Sequence, residues 1–523
     1  MRRRYDASGI RRMKMFAAIQ SCALLGIDGY LVSVEVNISM GMPAFEIVGL
    51  PDAAVRESRE RVRAALKNSG FGFPDDRVIV NLAPADQKKE GPIFDLPIAV
   101  GVLASQGKLA KARFSDVAMI GELSLDGAVR AVRGALPMAI SLRNLGVRQL
   151  ILPKDNSPEV MCVEGIELIP VNTLGEVCAH VVGKKPVAPI VPVSYDALIS
   201  QREIMSDFKN VKGQAGAKRA LEIAASGGHN VLMIGSPGSG KTLLAKSMPG
   251  IMPDMTFDEA LEVTRIHSCA GDKNIKGLLV ERPFRAPHHT SSSVALAGGG
   301  SNAMPGEISK AHHGVLFLDE LPEYKRNVLE VLRQPMEDGV IAVVRVGAQA
   351  NYPAQFTLIC AMNPCPCGNY GSRTRECRCT PIQISRYLGR VSGPLLDRID
   401  MQIQVESIDV DRFADEREEE PSSEIKKRVQ KARNIQRDRY SGLNISCNAR
   451  LDARTLNRFC KATDEAREML KAAVNRLNLS NRAYTRILKV ARTIADLAGD
   501  EVIQVGHIAE AVQYRSLDTT YWS

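Results

Sequence analysis

The stretch Asn230-Val-Leu-Met-Ile234, followed by Gly235-Ser236-Pro237-Gly238-Ser239-Gly240-Lys241-Thr242, decides the reading of this chain. Its second half matches the phosphate-loop pattern G-x-x-x-x-G-K-[ST]. An apolar strand precedes it and a helix over Leu243 to Ser247 follows, which is the context that pattern requires. Glycines there let backbone N–H groups close around phosphates, and the helix N-terminus adds a positive dipole end. In this reading Lys241 reaches the β- and γ-phosphates and Thr242 ligates Mg²⁺. The expectation is a nucleoside-triphosphate-binding α/β core.

The segment Gly314-Val-Leu-Phe-Leu-Asp319-Glu320 strengthens that reading. An apolar strand ending in two acids is a Walker B strand. Asp319 is expected to hold Mg²⁺ and Glu320 to polarise the attacking water. The next strand, Phe356 to Met362, ends at Asn363, a polar residue placed to orient that water. Arg398 lies in Gly393-Pro-Leu-Leu-Asp-Arg398-Ile-Asp400, where it is either a surface ion pair or an arginine that reaches the γ-phosphate of the next subunit.

Working outward, the 523 residues suffice for about three domains. No run of about 18 apolar residues is present, which excludes a helical membrane span. Residues 1–183 read as one α/β module, with helices over Asp52 to Ser69 and Asp95 to Ser105 and strands over Arg77 to Leu82 and Val147 to Pro153. Residues 184–206, opening with the Pro/Val-rich KKPVAPIVPV, read as a linker. The nucleotide module spans 207–408. Residues 409–423, with Glu418-Glu-Glu420, read as a solvated acidic connector, and 424–523 as a helical domain. Of the net charge of +9, that last domain holds nearly all: 19 Lys and Arg against 11 Asp and Glu. The surplus points either to a polyanionic partner or to a solvated arginine face. Arg2-Arg-Arg4 before the apolar Met15 to Ile27 superficially resembles a signal peptide. The stretch runs into the alternating Val32-Ser-Val-Glu-Val36, so it reads as a first strand behind a basic leader, with Met13 and Met15 as alternative starts.

Taken in order, the phosphate loop, the Asp-Glu strand, Asn363, Leu-Leu-Asp-Arg398 and a basic helical lid resemble AAA+ ATPases of the magnesium-chelatase-like group. The strings Val48 to Glu60, Arg282 to Thr290, Pro305 to Ser309 and Ala361 to Gly368 narrow the resemblance to the ComM/YifB family of bacterial competence-related ATPases. The resemblance implies that Asn363 is sensor 1, Arg398 the arginine finger and Arg482 the sensor 2 residue, with Arg486 as the alternative. It implies a hexameric homo-oligomer with ATP at each subunit interface. It also implies inserts over Cys269 to Met304 and a hairpin over Gly339 to Ala350 that face the ring's pore and touch DNA. Arg345 is then a DNA contact or a solvated hairpin charge.

The N-terminal module also resembles the Lon protease domain, through Glu90-Gly-Pro-Ile93-Phe-Asp95, Asp116 to Gly127, Gly134-Ala-Leu-Pro137 and Ile151-Leu-Pro-Lys154. That family carries its nucleophilic Ser at the position of Ile93 and its Lys at that of Pro137. Neither residue here can serve as nucleophile or base, so no protease activity is expected. Lys88 and Lys89 are read as a solvated pair or as nucleic-acid contacts.

Cys365, Cys367, Cys377 and Cys379 form a C-x-C-x₉-C-x-C pattern, with four thiols on two short arms around Gly368 and Gly371. Such an arrangement can close around Zn²⁺ in a structural role; free thiols and disulfides are the alternatives. His288-His289 and His312-His313 offer a second metal site as one reading, but adjacent histidines suit one face of a helix poorly, so packing or hydrogen-bonding pairs are the preferred reading. The fold expected is thus α/β: a Lon-like (ribosomal protein S5 domain 2-type) α+β domain, an AAA+ P-loop core and an all-helical lid of the magnesium-chelatase C-terminal type. The function expected is a cytoplasmic, ATP- and Mg²⁺-dependent motor on single-stranded or branched DNA. It would promote branch migration in natural transformation, alongside recombination proteins and without a membrane partner. The alternative is a chelatase-type motor that remodels a protein without DNA.

Overall fold

The computed structural model describes residues 16–522, except 110–111, 113, 201–205, 273–274, 276, 301–302, 346–347, 372–374, 407–418, 444, 478 and 518–520. The chain divides into two compact units, residues 1–201 with 264–279, and residues 202–263 with 280–523.

The first unit is built on a seven-stranded mixed sheet. Its strands are β1 (Phe16–Leu25), β2 (Asp28–Ser39), β3 (Ala44–Val48), β4 (Arg77–Ala83), β5 (Val117–Met119), β6 (Gln149–Pro153) and β7 (Glu167–Val171), in the order β3-β4-β2-β1-β5-β6-β7. β1 and β2 form a long antiparallel hairpin in which Phe16 faces Asn37 and Leu25 faces Asp28. The apolar stretch after the basic leader is therefore a strand, and Met13 and Met15 lie outside the described residues. Helix α1 (Ala53–Asn68) starts where the Asp52 carboxylate accepts from the Val55 amide at 2.7 Å, which satisfies one of the helix's orphan donors. Helix α2 (Asp95–Ser105) is buried along almost its whole length and packs on β1 and β2. Its first residue, Asp95, is fully buried and takes a forked hydrogen bond from Arg61 at 2.6 and 3.1 Å. Burial pushes the Asp95 carboxyl above its usual range despite that arginine. Ile93 sits in a short 3-10 turn and Pro137 is buried in helix α3 (Ala135–Asn144). Lys89 corrects the sequence reading: it is buried and donates to the Gln87 carbonyl at 2.7 Å, neither solvated nor presented to a ligand.

The second unit holds a five-stranded, all-parallel sheet. Its strands are β8 (Val231–Ile234), β9 (Phe284–Arg285), β10 (Val315–Leu318), β11 (Val340–Arg345) with β12 (Ala348–Pro353) as a separate hairpin, β13 (Thr357–Met362) and β14 (Met401–Gln404). The sheet order is β9-β10-β13-β8-β14, with β8 between β13 and β14. The side chains of β8, β10 and β13 are all buried, as expected for parallel strands covered on both faces. Helices α4 (Ala215–Gly227) and α5 (Lys241–Ile251) accompany them, and α6 (Phe257–Ala270) belongs to this unit through residue 263. After the acidic segment come α7 (Ser422–Arg439), α8 (Asp464–Arg476), α9 (Asn481–Ala498) and α10 (Val505–Gln513).

These last helices share one hydrophobic core with the sheet. Val231, Phe317, Ile359 and Met401 belong to the same buried cluster as Leu470, Ile487, Val490 and Ile494. Polar contacts add to it: Gln436 donates to the Ser226 carbonyl at 3.0 Å, and His229 meets the Thr493 hydroxyl at 2.7 Å. Several basic residues of this region are paired within the fold. Arg428 pairs with Glu222 and Glu420, Arg439 with Asp496, and Lys426 with Asp254. Arg492 is fully buried and pairs with Asp496, which also accepts from Asn448 at 2.8 Å. Of the acidic connector read over 409–423, residues 409–418 lie outside the described residues; Glu419 holds Lys218 at 2.7 Å and accepts from the Gly213 amide at 2.6 Å.

Candidate nucleotide site

The phosphate loop emerges from the carboxyl end of β8. Gly235 leaves the strand donating to the Met362 carbonyl at 3.2 Å. A Cβ on Gly235 would lie 2.2 Å from the Val405 carbonyl oxygen, so any side chain there would push the loop off β14. The loop then hands over directly to α5, whose first two residues are Lys241 and Thr242. Lys241 is buried, and its ammonium donates to the carbonyls of Gly235 at 2.7 Å and Ser236 at 2.9 Å and to Asn363 Oδ1 at 3.3 Å. Burial lowers the pKa of Lys241, and Asp319 opposes that shift.

The second acid-bearing strand comes to the same edge. Thr242 Oγ1 donates to Asp319 Oδ2 at 2.9 Å, and Asp319 Oδ1 accepts from the Glu320 amide at 2.9 Å. Glu320 has a φ of 51°, a left-handed conformation uncommon for a non-glycine residue. Its carboxylate meets His289 Nδ1 at 3.1 Å, and His289 stacks obliquely on His288 with ring centres 4.1 Å apart. The structure thus brings Lys241, Thr242, Asp319, Glu320 and Asn363 together from three strand ends. Thr242 and Asp319 offer hard oxygen donors side by side, the donor set Mg²⁺ takes. Sequence reasoning preferred a packing or hydrogen-bonding role for His289 over a metal site. No spacing signal ties it to Glu320, because the fold alone lays the Pro287–Thr290 segment beside the Asp-Glu turn.

Arg398, Arg482 and Arg486 are brought together with each other and not with the phosphate loop. Met401 pairs with Val231 at the amino ends of β14 and β8, so Arg398 and Asp400 lie at the opposite end of the sheet from Gly235. Roughly 10 Å of strand separates the two ends. Asp400 is buried and pairs with Arg486 and, at 3.6 Å, with His229. Burial opposes ionisation there, but Arg486 and His229 together hold the Asp400 carboxyl below the usual range. Arg398 is buried, pairs with Glu337 and donates to the Pro394 carbonyl at 2.7 Å. Arg482 pairs with Asp397 at 3.3 Å, and its side chain stays 66% exposed. Arg398 and Arg486 line a cavity of about 260 Å³ with Glu337, Arg450 and Lys489, and an adjoining one of about 110 Å³ adds Arg482. Arg345 belongs to β11, but its side chain lies outside the described residues.

Two further clusters carry metal-ligating side chains. Glu262 accepts from His312 Nε2 and His313 Nε2, both at 3.0 Å. His312 Nδ1 accepts the Gln355 amide at 3.0 Å, so the Nε2 of the neutral ring carries the proton and is a donor rather than a ligand. Both histidines thus hydrogen-bond, as the sequence reading expected. The second cluster is Cys365, Cys367, Cys377 and Cys379, whose sulfurs lie within 4.8 Å of one another as free thiols.

Comparison with known proteins agrees with this architecture. The profile described as magnesium chelatase, subunit ChlI, matches residues 207–413. Those described as subunit ChlI of Mg-chelatase and as its C-terminal part match residues 34–156 and 419–515. The chain is 43% identical over 501 residues to the Escherichia coli protein named "Uncharacterized protein YifB", covering 96% of this chain and 97% of that one. It is 43% identical over 505 residues to "Competence protein ComM" of Haemophilus influenzae, with the same coverage. A shorter match, 26% over 176 residues, joins 30% of this chain to 31% of Lon protease 2 of Bacillus subtilis. With a parallel α/β core, a helical C-terminal region and Lon homology in its N-terminal region, the chain belongs to the ComM/YifB family of magnesium-chelatase-like AAA+ proteins.

Proposed function

We propose that this protein is an ATP-hydrolysing ring motor that acts on DNA and promotes branch migration of recombination intermediates. The observation that carries the hydrolytic part is the contact of Thr242 Oγ1 with Asp319 Oδ2 at 2.9 Å, with the Lys241 ammonium anchored to Asn363 beside it. Mg²⁺ bound there would neutralise charge on the transferring phosphoryl group. Lys241 would hold the β- and γ-phosphates, Glu320 would accept a proton from water, and Asn363 would orient that water through its amide.

The separation of the two sheet ends supports a ring. Arg398, Arg482 and Arg486 stand away from their own phosphate loop, so they serve a phosphate only if a neighbouring copy presents one. That revises the role of Arg482, which then acts on the neighbour's nucleotide together with Arg398. Arg398 must exchange Glu337 for phosphate to do so, whereas Arg482 is exposed already.

The DNA part rests on the relation to the protein named Competence protein ComM and on the basic C-terminal region, whose surplus persists although many of its arginines are internally paired. The test is the ATPase rate without DNA, with single-stranded DNA and with a four-way junction, across a salt series. Stimulation that falls steeply with salt is expected, because phosphate contacts release counterions, and the junction should stimulate most. A robust ATPase indifferent to every DNA would favour the alternative, a chelatase-type motor working on a protein partner.

A further inference from the structure

We propose that Cys365, Cys367, Cys377 and Cys379 hold one Zn²⁺, and that the filled site braces the phosphate loop through Gly368 and Pro237. The sulfur of Cys365 lies 3.4 Å from that of Cys367 and 3.7 Å from that of Cys377, and Cys367 lies 3.7 Å from Cys377. A tetrahedron with Zn–S bonds of about 2.3 Å has S···S edges of about 3.8 Å. Disulfides would bring sulfurs to about 2.05 Å. Four sulfurs this close leave room at their centre for a single ion and none for an iron–sulfur cluster.

The backbone around them is arranged for thiolates. The Tyr370 amide donates to Cys365 Sγ at 3.3 Å. The amides of Asn369 and Arg378 donate to Cys367, that of Cys379 to Cys377, and that of Cys367 to Cys379. Every sulfur therefore accepts at least one N–H, the outer-shell support that holds metal ligands in place.

The position of the cluster gives it a consequence. One arm follows Asn363 directly, and Asn363 is the residue that accepts from Lys241. The other arm ends at Thr380, the N-cap of the helix Pro381–Leu388, which is fixed by a capping box with Gln383. Tyr387 of that helix accepts the Asn363 amide, so the two arms meet again at the same residue. Between the arms, Gly368 has a φ of 79°, and a Cβ on it would lie 2.4 Å from Pro237 Cδ. The turn between the first two cysteines and the rest therefore rests against the phosphate loop itself. Without the metal the two arms lose their common tie, and both supports of the loop, at Asn363 and at Pro237, loosen.

The metal site stands independently of the proposed ATPase, whereas its effect on nucleotide binding rests on that reading. The first measurement is the metal content of the purified full chain without nucleotide. About one Zn²⁺ per chain is expected, falling to near none in Cys377→Ser/Cys379→Ser. Absence of zinc, iron in its place, or zinc retained by the double variant overturns the site. The second measurement titrates a fluorescent ATP analogue into the wild-type protein as purified, after stripping with a chelator, and after refilling with Zn²⁺. Stripping should weaken binding by about tenfold or more, and refilling should restore it. Stripping and refilling keep the test valid if the double variant fails to fold. Unchanged affinity in zinc-free protein overturns the brace and leaves the site. A zinc-loaded wild type that binds no nucleotide overturns the ATPase reading, and the brace with it.

Discussion

The two ends of the parallel sheet in the second unit are built in opposite ways. At the carboxyl ends of β8, β10 and β13, main-chain loops turn outward, and Lys241, Thr242, Asp319 and Asn363 converge on one another. At the amino ends of β8 and β14, long side chains from remote parts of the chain converge instead: Arg398 before β14, and Arg482 and Arg486 from α9. The first end is a cradle of backbone, with one buried ammonium. The second is a cluster of guanidinium groups held by Glu337, Asp397 and Asp400. A cradle of the first kind suits a bound triphosphate, and a cluster of the second kind suits a phosphate arriving from outside. In the ring proposed above, the two halves meet only where the loop of one copy faces the arginines of its neighbour.

The largest expected effect breaks the carboxyl end. Lys241→Ala should abolish nucleotide-dependent activity, because the ammonium has no substitute there; ATP turnover above background would refute the assignment. Glu320→Gln should bind ATP but lose turnover by about 10²–10³-fold in a single-turnover assay, the range seen when one transition-state group is removed. Normal turnover would sink its role.

The amino end is tested by mixing. Arg482→Ala should lower the ATPase rate by about 10²-fold, because every nucleotide in a ring of that variant lacks the neighbour's Arg482. Mixing Lys241→Ala with Arg482→Ala subunits should restore part of the activity, since some interfaces then combine an intact loop with an intact arginine. No recovery on mixing would mean that both residues serve the same subunit.

The same end also has a structural task. Asp400→Ala leaves the Arg486 guanidinium without its buried counter-charge, and loss of one partner of a buried ion pair costs about 3–5 kcal/mol. Denaturant unfolding should show that loss, whereas Arg482→Ala, at an exposed pair, should shift stability by less than about 1 kcal/mol. Equal effects would erase the distinction between the two arginine positions.

The structure also implies a pH dependence. Burial lowers the His312 pKa to about 4, against the pull of Glu262. A depressed histidine binds fewer protons folded than unfolded, so its stability contribution is full above about pH 6.5 and is lost as pH falls toward 4. Between pH 7 and pH 5 the wild type should lose about 1–2 kcal/mol more than His312→Gln. Parallel urea curves for the two proteins over that interval would contradict it.

Much of this was legible because it is contiguous. The phosphate loop, the apolar strand ending in Asp319-Glu320, and helix Asp95 to Ser105 each carry their signal within a dozen residues. The basic surplus of the last hundred residues was legible only as a count. The sequence does not show that Arg439 turns inward onto Asp496, because that partner lies 57 residues along the chain, or that Arg492 and Lys89 are buried, because what packs over them comes from other elements. Likewise His289 acquires its relation to Glu320 only when β9 and β10 lie side by side in the sheet.

The sequence by itself determined that a phosphate-loop motif joins an apolar strand to a helix, that a Lon-like module precedes it, and that four cysteines sit on two short arms. These follow from local backbone geometry and short spacing. Only the tertiary structure decided which end of the sheet each charged side chain occupies. Strand order and helix docking set that placement, and they come from burying one apolar core shared by the sheet and the C-terminal helices.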